Sequence, residues 1–298
     1  MRLYVKIDGE EREVGTLSKG IVKPIKRVKI EVAIQEYLES STVKKSKCTR
    51  TNEKRYFKDL NDFLTSENLI KIDEVTAIHI NKYKAEMLKR VSPATVNRQF
   101  NTLKNFFNTL IKKQMIFENP CREITHEKTK PTKKTLWTRE DLDLIKSLIE
   151  PPAANILEFI WLTGARNIEA LNLKWTDIDH DNSLIIFKSQ KNAKHFREFP
   201  ISNKTSKLLH SLPLTGLYVF GGYTSDSLGK KVRIAVETTN KKSLTIYGLR
   251  HTFCKDLLKS GMSRPLVQKL MGHADWRTTE NYAHWEDDFL INEVNSIR

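Results

Sequence analysis

Leu270-Met-Gly-His-Ala-Asp-Trp-Arg-Thr-Thr-Glu-Asn-Tyr282 sets a tyrosine nine residues beyond a Gly272-His273 pair. Upstream lies Leu249-Arg250-His251-Thr252-Phe253, and further back Leu162-Thr-Gly-Ala-Arg166-Asn-Ile-Glu169-Ala-Leu171. Any one of these fragments is ordinary: an amphipathic-helix tyrosine, or an arginine in a surface ion pair. Their company is less ordinary. Arg166 and Arg250 both sit in apolar surroundings, Leu162 to Ala165 and Ile246 to Leu249. A guanidinium withdrawn from water needs an anionic partner. Its planar fork donates two parallel hydrogen bonds and stays protonated, which suits phosphate. Metal-free phosphodiester transfer needs cations on the non-bridging oxygens, a nucleophile for phosphorus and an acid for the leaving alkoxide. Two arginines, a histidine and a late tyrosine match that set.

The 51 basic and 36 acidic side chains leave a net charge of +15. The excess is uneven: residues 1–135 hold 29 basic and 17 acidic residues, and the rest hold 22 and 19. A basic first half is the footprint of a phosphate-backbone binder acting through counterion release, although solubility or an acidic protein partner gives the same excess. Cys48, Cys121 and Cys254 are far apart with no Cys-x-x-Cys pair, which argues against a disulfide framework or zinc site. The Met1-Arg-Leu-Tyr-Val-Lys start lacks a signal peptide's apolar run, and no apolar stretch approaches a membrane span. The expectation is a soluble, cytoplasmic, nucleoid-associated protein.

Four segments emerge along the chain. Residues 1–27 predict a hairpin with a basic lead-in, Leu3, Val5 and Ile7 alternating before an Asp8-Gly9 turn. Residues 28–117 predict a helical DNA-binding domain of four helices. Their apolar stripes are Val32, Ile34, Tyr37 and Leu38; Tyr56, Leu60, Phe63 and Leu64; Val75, Ile78, Ile80 and Tyr83; and Val96 to Ile111. Asn119-Pro120 is expected to stop the fourth. Residues 118–135 read as a polar, basic linker. From 136 to 298 a mixed domain is expected: a helix from the Thr138 cap to Glu150, ended by Pro151-Pro152, then another through Ile156 to Leu162. Two strands, Leu184–Phe187 and Phe196–Ile201, flank a lysine-rich turn, and helices resume near Ser202, Ser225 and Tyr247. The fold class is mainly α with a small β-sheet.

These segments resemble the tyrosine recombinase, or phage integrase, family, whose pattern is Arg, Lys, His-x-x-Arg, His or Trp, then Tyr. Thr95 to Pro120 looks like the last helix of that family's core-binding domain, and 136–298 like its catalytic domain. The resemblance implies that Arg166 and Arg250 bind the scissile phosphate and that Tyr282 attacks it, giving a 3′-phosphotyrosine and a free 5′-hydroxyl. Lys191 would be the general acid; Lys188 and Lys194 flank the same turn, but Lys191-Asn-Ala-Lys194 before Pro200 best fits the family's pattern. His273 would bond the phosphate and assist proton transfer, and Glu169 would buttress the site. Tyr247 stands where the family usually has His: a phenol still donates to phosphate oxygen but does not shuttle protons near neutrality. His251 resembles a position the family commonly fills with His, and helix packing accounts for it equally.

The implied activity is site-specific recombination, for integration and excision of a mobile element or prophage. No cofactor, metal or ATP is implied, because the phosphotyrosine conserves the bond energy. Implied partners are duplex recombination sites, a homotetramer and accessory DNA-bending proteins, with the tail from Glu286 to Arg298 docking on its own domain or on a neighbouring subunit. The rival readings are a type IB topoisomerase-like enzyme and a catalytically inert DNA-binding regulator.

Overall fold

The computed structural model describes residues 27–41, 45–129, 135–188, 196–241 and 243–273, and the backbone of 2–7, 10–18 and 21–23. The Asp8-Gly9 turn, Lys191, Lys194, Tyr282 and the tail lie outside the described residues. The chain divides into two compact units, Met1–Pro131 and Thr132–Arg298.

In the first unit, β1 (Arg2–Ile7), β2 (Glu10–Ser18) and β3 (Ile21–Lys23) form an antiparallel sheet in that order. The expected hairpin is therefore three-stranded. Ile21 and Val22 are too short a run, among lysines and a proline, to show a period-2 pattern. Four helices follow: α1 (Ile30–Ser41), α2 (Lys47–Ser66), α3 (Ala77–Arg90) and α4 (Pro93–Lys112). Ser46 and Ser92 cap α2 and α4, each hydroxyl accepting the backbone N–H three residues on, and Pro93 opens α4 where no N–H is needed. The core is aromatic. Phe57 and Phe106 meet edge-on at 4.9 Å, and Tyr37 packs edge-on against both at 5.3 and 5.2 Å.

Two expected core residues face solvent instead, Val32 at 44% and Ile78 at 68% exposure. Ile30 and Ala33 take the buried face of α1, because a short helix with apolar residues on several sides leaves its inward face to tertiary packing. The fourth helix ends at Lys112 rather than at Asn119. Gln114 adopts φ 59°, turning Met115 and Ile116 back into the core. Asn119 is a pin: its amide donates to the Lys104 carbonyl and to Asn108. The chain beyond it is laced to α4, with Asn97 and the Glu127 backbone exchanging two hydrogen bonds of 2.8 and 2.9 Å. The first part of the expected linker is thus built onto the helices.

The second unit begins with Trp137, buried, its indole N–H donating to the Thr245 carbonyl and its backbone N–H to Thr252. Then come α5 (Arg139–Ser147), α6 (Pro151–Thr163), α7 (Asn167–Leu171), β4 (Ile178–Asp179), β5 (Leu184–Lys188), β6 (Phe196–Pro200), α8 (Asn203–His210), α9 (Ser225–Glu237), α10 (Ile246–Lys259) and α11 (Arg264–Met271). Pro151-Pro152 opens α6 rather than closing α5, since prolines suit a helix's first turn. Helix α6 is the hub, burying Ile156, Leu157, Phe159 and Ile160. The antiparallel sheet β4-β5-β6 closes one side of this core, with Phe187 and Phe199 packed inward. Among the described residues no helix is long and apolar enough to cross a membrane.

Phe106→Ala is expected to cost about 3–5 kcal/mol, by lost transfer energy plus a cavity, whereas Ile78→Ala should stay within about 0.5 kcal/mol. Denaturant unfolding of both variants checks this, and similar costs would contradict the exposure of Ile78 and the burial of Phe106.

Candidate active site

Helix α6 ends at Gly164, in the left-handed region at φ 60°, where a Cβ would lie 2.3 Å from a Phe253 ring carbon. Only glycine satisfies both the turn and the close approach. The turn delivers Arg166 to the N-terminus of α7, where its backbone N–H donates to Glu169 Oε2 at 2.9 Å. Its guanidinium donates to Glu169 Oε1 at 2.5 Å and to the Gly272 carbonyl at 3.0 Å.

Arg250 arrives from the first turns of α10 and is 2% exposed. It donates to the Gly164 carbonyl at 2.6 Å and to the Met271 carbonyl, while its Nε is buried with no hydrogen-bond partner among the described residues. A third guanidinium, from β6, completes the cluster. Arg197 donates to the Leu270 carbonyl at 2.5 Å and to Glu169 Oε2 at 2.9 Å. Three successive carbonyls, Leu270, Met271 and Gly272, are thus each taken by a different arginine. They close α11, whose last carbonyls are unpaired within the helix and form the negative end of its dipole.

Burial pulls the Arg250 guanidinium down to about 10, with the nearby charges of Arg166 and Arg197 adding to it; it remains protonated at neutral pH. Burial likewise lowers Arg197, and Glu169 offsets only part of the effect. Burial alone would raise the Glu169 carboxyl, but Arg197, the Arg166 N–H and the Arg166 charge together hold it below the usual value.

The sequence-predicted residues divide. Arg166, Arg250 and His273 converge on the end of α11. His273 is buried, directly after Gly272, with its backbone N–H donating to the Gln268 carbonyl and its own carbonyl accepting from the Gln268 amide. Tyr247, one turn before Arg250, is 52% exposed, and its ring meets that of His251 edge-on at 4.6 Å. Lys188 is committed to Asp177, a nearly buried carboxylate. Lys191 and Tyr282 lie outside the described residues.

Arg197 is the residue that sequence reading missed. The available signal was an arginine on the same face of a strand as the inward Phe199, opposite Phe187 in register. Among the described residues no three His, Cys, Asp or Glu side chains are grouped to hold a metal ion.

The chain is similar to known proteins over most of its length. The profile of the phage integrase family matches residues 142–288, and that of the phage integrase SAM-like domain matches 31–129. Tyrosine recombinase XerC of Thermodesulfovibrio yellowstonii is 30% identical over 270 residues, covering 79% of this chain and 86% of the relative. Among solved structures, the Tn1549 transposon integrase in complex with circular intermediate DNA superposes with a TM-score of 0.68 at 21% identity, over 86% of this chain and 95% of that one. A lambda integrase tetramer bound to a Holliday junction gives 0.68 at 16% identity, over 83% of this chain and 78% of that one.

Gly272, at φ 61°, would place a Cβ 2.5 Å from Arg197 Cδ. Gly272→Ala should therefore cost at least about 1–2 kcal/mol for the left-handed backbone alone. Gly229→Ala, in α9 with nothing near its Cβ position, should instead gain about 0.5–1 kcal/mol. Thermal melts compare the two; a neutral Gly272→Ala would contradict the close packing of Arg197. Glu169 gives a pH signature. Its depressed carboxyl contributes fully above the ordinary value of 4.5 and loses that contribution as pH falls through the folded-state value. Glu169→Gln should flatten the acid limb of stability against pH, and equal acid slopes would sink the assignment.

Proposed function

The chain belongs to the phage integrase family and is a tyrosine-type site-specific recombinase, and on that premise we propose which of its residues carry the reaction. Arg166 and Arg250 grip the non-bridging oxygens of the scissile phosphate. The Tyr282 hydroxyl oxygen attacks phosphorus; its bond to phosphorus forms as the bond to the 5′ oxygen breaks, leaving a 3′-phosphotyrosine. Lys191 gives its proton to the departing 5′ oxygen, and His273 bonds the phosphate and assists removal of the tyrosine proton. Attack by the 5′-hydroxyl of a second duplex reverses the chemistry and releases the tyrosine. The phosphodiester energy is kept throughout, so no nucleotide is consumed.

One observation carries this reading: Arg166 and Arg250, which lie far apart in the chain, meet at the two carbonyls that immediately precede His273. The cluster sets three guanidiniums against one carboxylate, a surplus of positive charge that attracts a phosphodiester. Tyr247, exposed one turn before Arg250, lines the cleft as a phosphate hydrogen-bond donor in place of the family's usual imidazole. Residues 28–117 act as the core DNA-binding domain and 136–298 as the catalytic domain, and the basic excess of the first 135 residues tracks the duplex backbone. The working assembly is a homotetramer on two recombination sites, a reading supported by likeness to a lambda integrase that is tetrameric on a Holliday junction. The biological setting is integration and excision of a mobile element or prophage.

Incubation with a library of nicked duplexes of random sequence should trap a covalent protein–DNA adduct through a 3′ end, and addition of a second duplex should give joined strands. Tyr282→Phe should form no adduct, and Arg250→Lys should slow adduct formation by roughly 10²–10³-fold, as loss of a preorganised donor does. A native chain that forms no adduct, or an adduct that survives Tyr282→Phe, would overturn the reading.

A further inference from the structure

We propose that Arg197 is a positioning residue for strand cleavage, placing Arg166 and the end of α11 up to His273 relative to one another. The inference rests on the recombinase reading above and assigns a role to a residue outside the family's catalytic pattern.

The guanidinium of Arg197 is taken out of water, its side chain only 9% exposed, and lies 4.2 Å over the Phe187 ring. Such burial is costly, and a hydrophobic residue of similar volume would stabilise the fold at least as well. What a hydrophobe would lack is the pair of directed bonds. Nη2 reaches Glu169 Oε2, and Nη1 reaches the Leu270 carbonyl. Glu169 is the same carboxylate that fixes Arg166, through both its N–H and its guanidinium. Oε2 is filled by Arg197 Nη2 and the Arg166 backbone N–H, so the Arg166 guanidinium is held on Oε1. Leu270 lies three residues before His273 and twelve before Tyr282, so a hydrogen bond there sets where the chain leaves α11.

The third link is covalent. Arg197 is the second residue of β6, so the same side chain that holds Glu169 and α11 belongs to the strand that follows the lysine turn. One rigid fork therefore ties together the Arg166 pedestal, the end of α11 and strand β6. Gly272 is matched to it. A methyl group there would sit 2.5 Å from Arg197 Cδ, so the missing Cβ is what lets the arginine pass behind the turn.

The test uses the full chain with Arg197→Lys, Gly272→Ala and their combination, on the duplex captured by the native protein. Thermal melts set an assay temperature at which each variant is folded. DNA affinity is measured separately from the single-turnover rate of adduct formation at saturating DNA. Lysine keeps the charge but has no fixed fork to serve a carboxylate and a carbonyl together. Arg197→Lys should hold DNA affinity while slowing adduct formation by at least tenfold and up to about 10²-fold, the scale of a misplacement near 1 Å. Gly272→Ala should do likewise by displacing the same side chain, and the combination should be little slower than the slower single variant, because both act through one placement. A native cleavage rate in either folded single variant, or slowing in the combination equal to the product of the two, overturns the proposal. Failure of the recombinase reading shows differently, as no Tyr282-dependent adduct in the native chain.

Discussion

Three guanidiniums close the end of one short helix, and the second unit is organised by that fact. Helix α11 presents the carbonyls of Leu270, Met271 and Gly272 without intrahelical partners, and Arg197, Arg250 and Arg166 each take one. Each arginine comes from a different element: β6, α10 and the start of α7. The cluster therefore fixes the relative placement of four pieces of chain that are far apart in sequence. Its charges would repel one another without an anionic counterpart. Glu169, shared between Arg166 and Arg197, supplies part of it, and the negative end of the helix dipole supplies more. A phosphodiester completes the set under the proposed reaction.

Local backbone choices make that convergence possible. Gly164 and Gly272 both occupy the left-handed region, and both face a side chain at a distance no Cβ tolerates, Phe253 in one case and Arg197 in the other. The first turns the chain out of α6 so that Arg166 can open α7. The second ends α11 and sends His273 inward. Trp137, hydrogen-bonded to Thr245 and Thr252, seats the beginning of the unit on α10 and so fixes the helix that carries Arg250 and Tyr247.

Much of this was legible before the structure. The apolar stripes of α2 and α4 are long and regular, and their buried faces match. Short helices were harder: α1 and α3 carry apolar residues on several sides, and Val32 and Ile78 turned out exposed because packing, not periodicity, selects the inward face. Prolines misled in one place. Pro151-Pro152 stops a helix or starts one, and only the Glu150 backbone distinguishes the two. In the site, Arg166, Arg250 and His273 were readable because each sits in a recognisable string, while Arg197 was not. Its partners are one backbone carbonyl, that of Leu270, and the Glu169 carboxylate, with Gly272 close behind its stem, none of them near in sequence. Sequence spacing carries no trace of such a contact.

The cluster also sets stability against chemistry. Burying Arg250 beside two like charges depresses its proton affinity, because burial and the charges of Arg166 and Arg197 all disfavour the cation there. Apolar side chains of similar size would remove that penalty and pack at least as well. The chain keeps the guanidiniums in place, oriented by carbonyls, before any phosphate arrives. Donors fixed in advance need no reorganisation as charge develops on the phosphoryl oxygens, and in a water-poor site each is worth more than it would be in solvent. Under the proposed reaction, the backbone carbonyls that orient the arginines share those donors with an entering phosphate oxygen. Their geometry at the end of α11 therefore bears on the resting fold and, under the proposed reaction, on how a phosphate is seated.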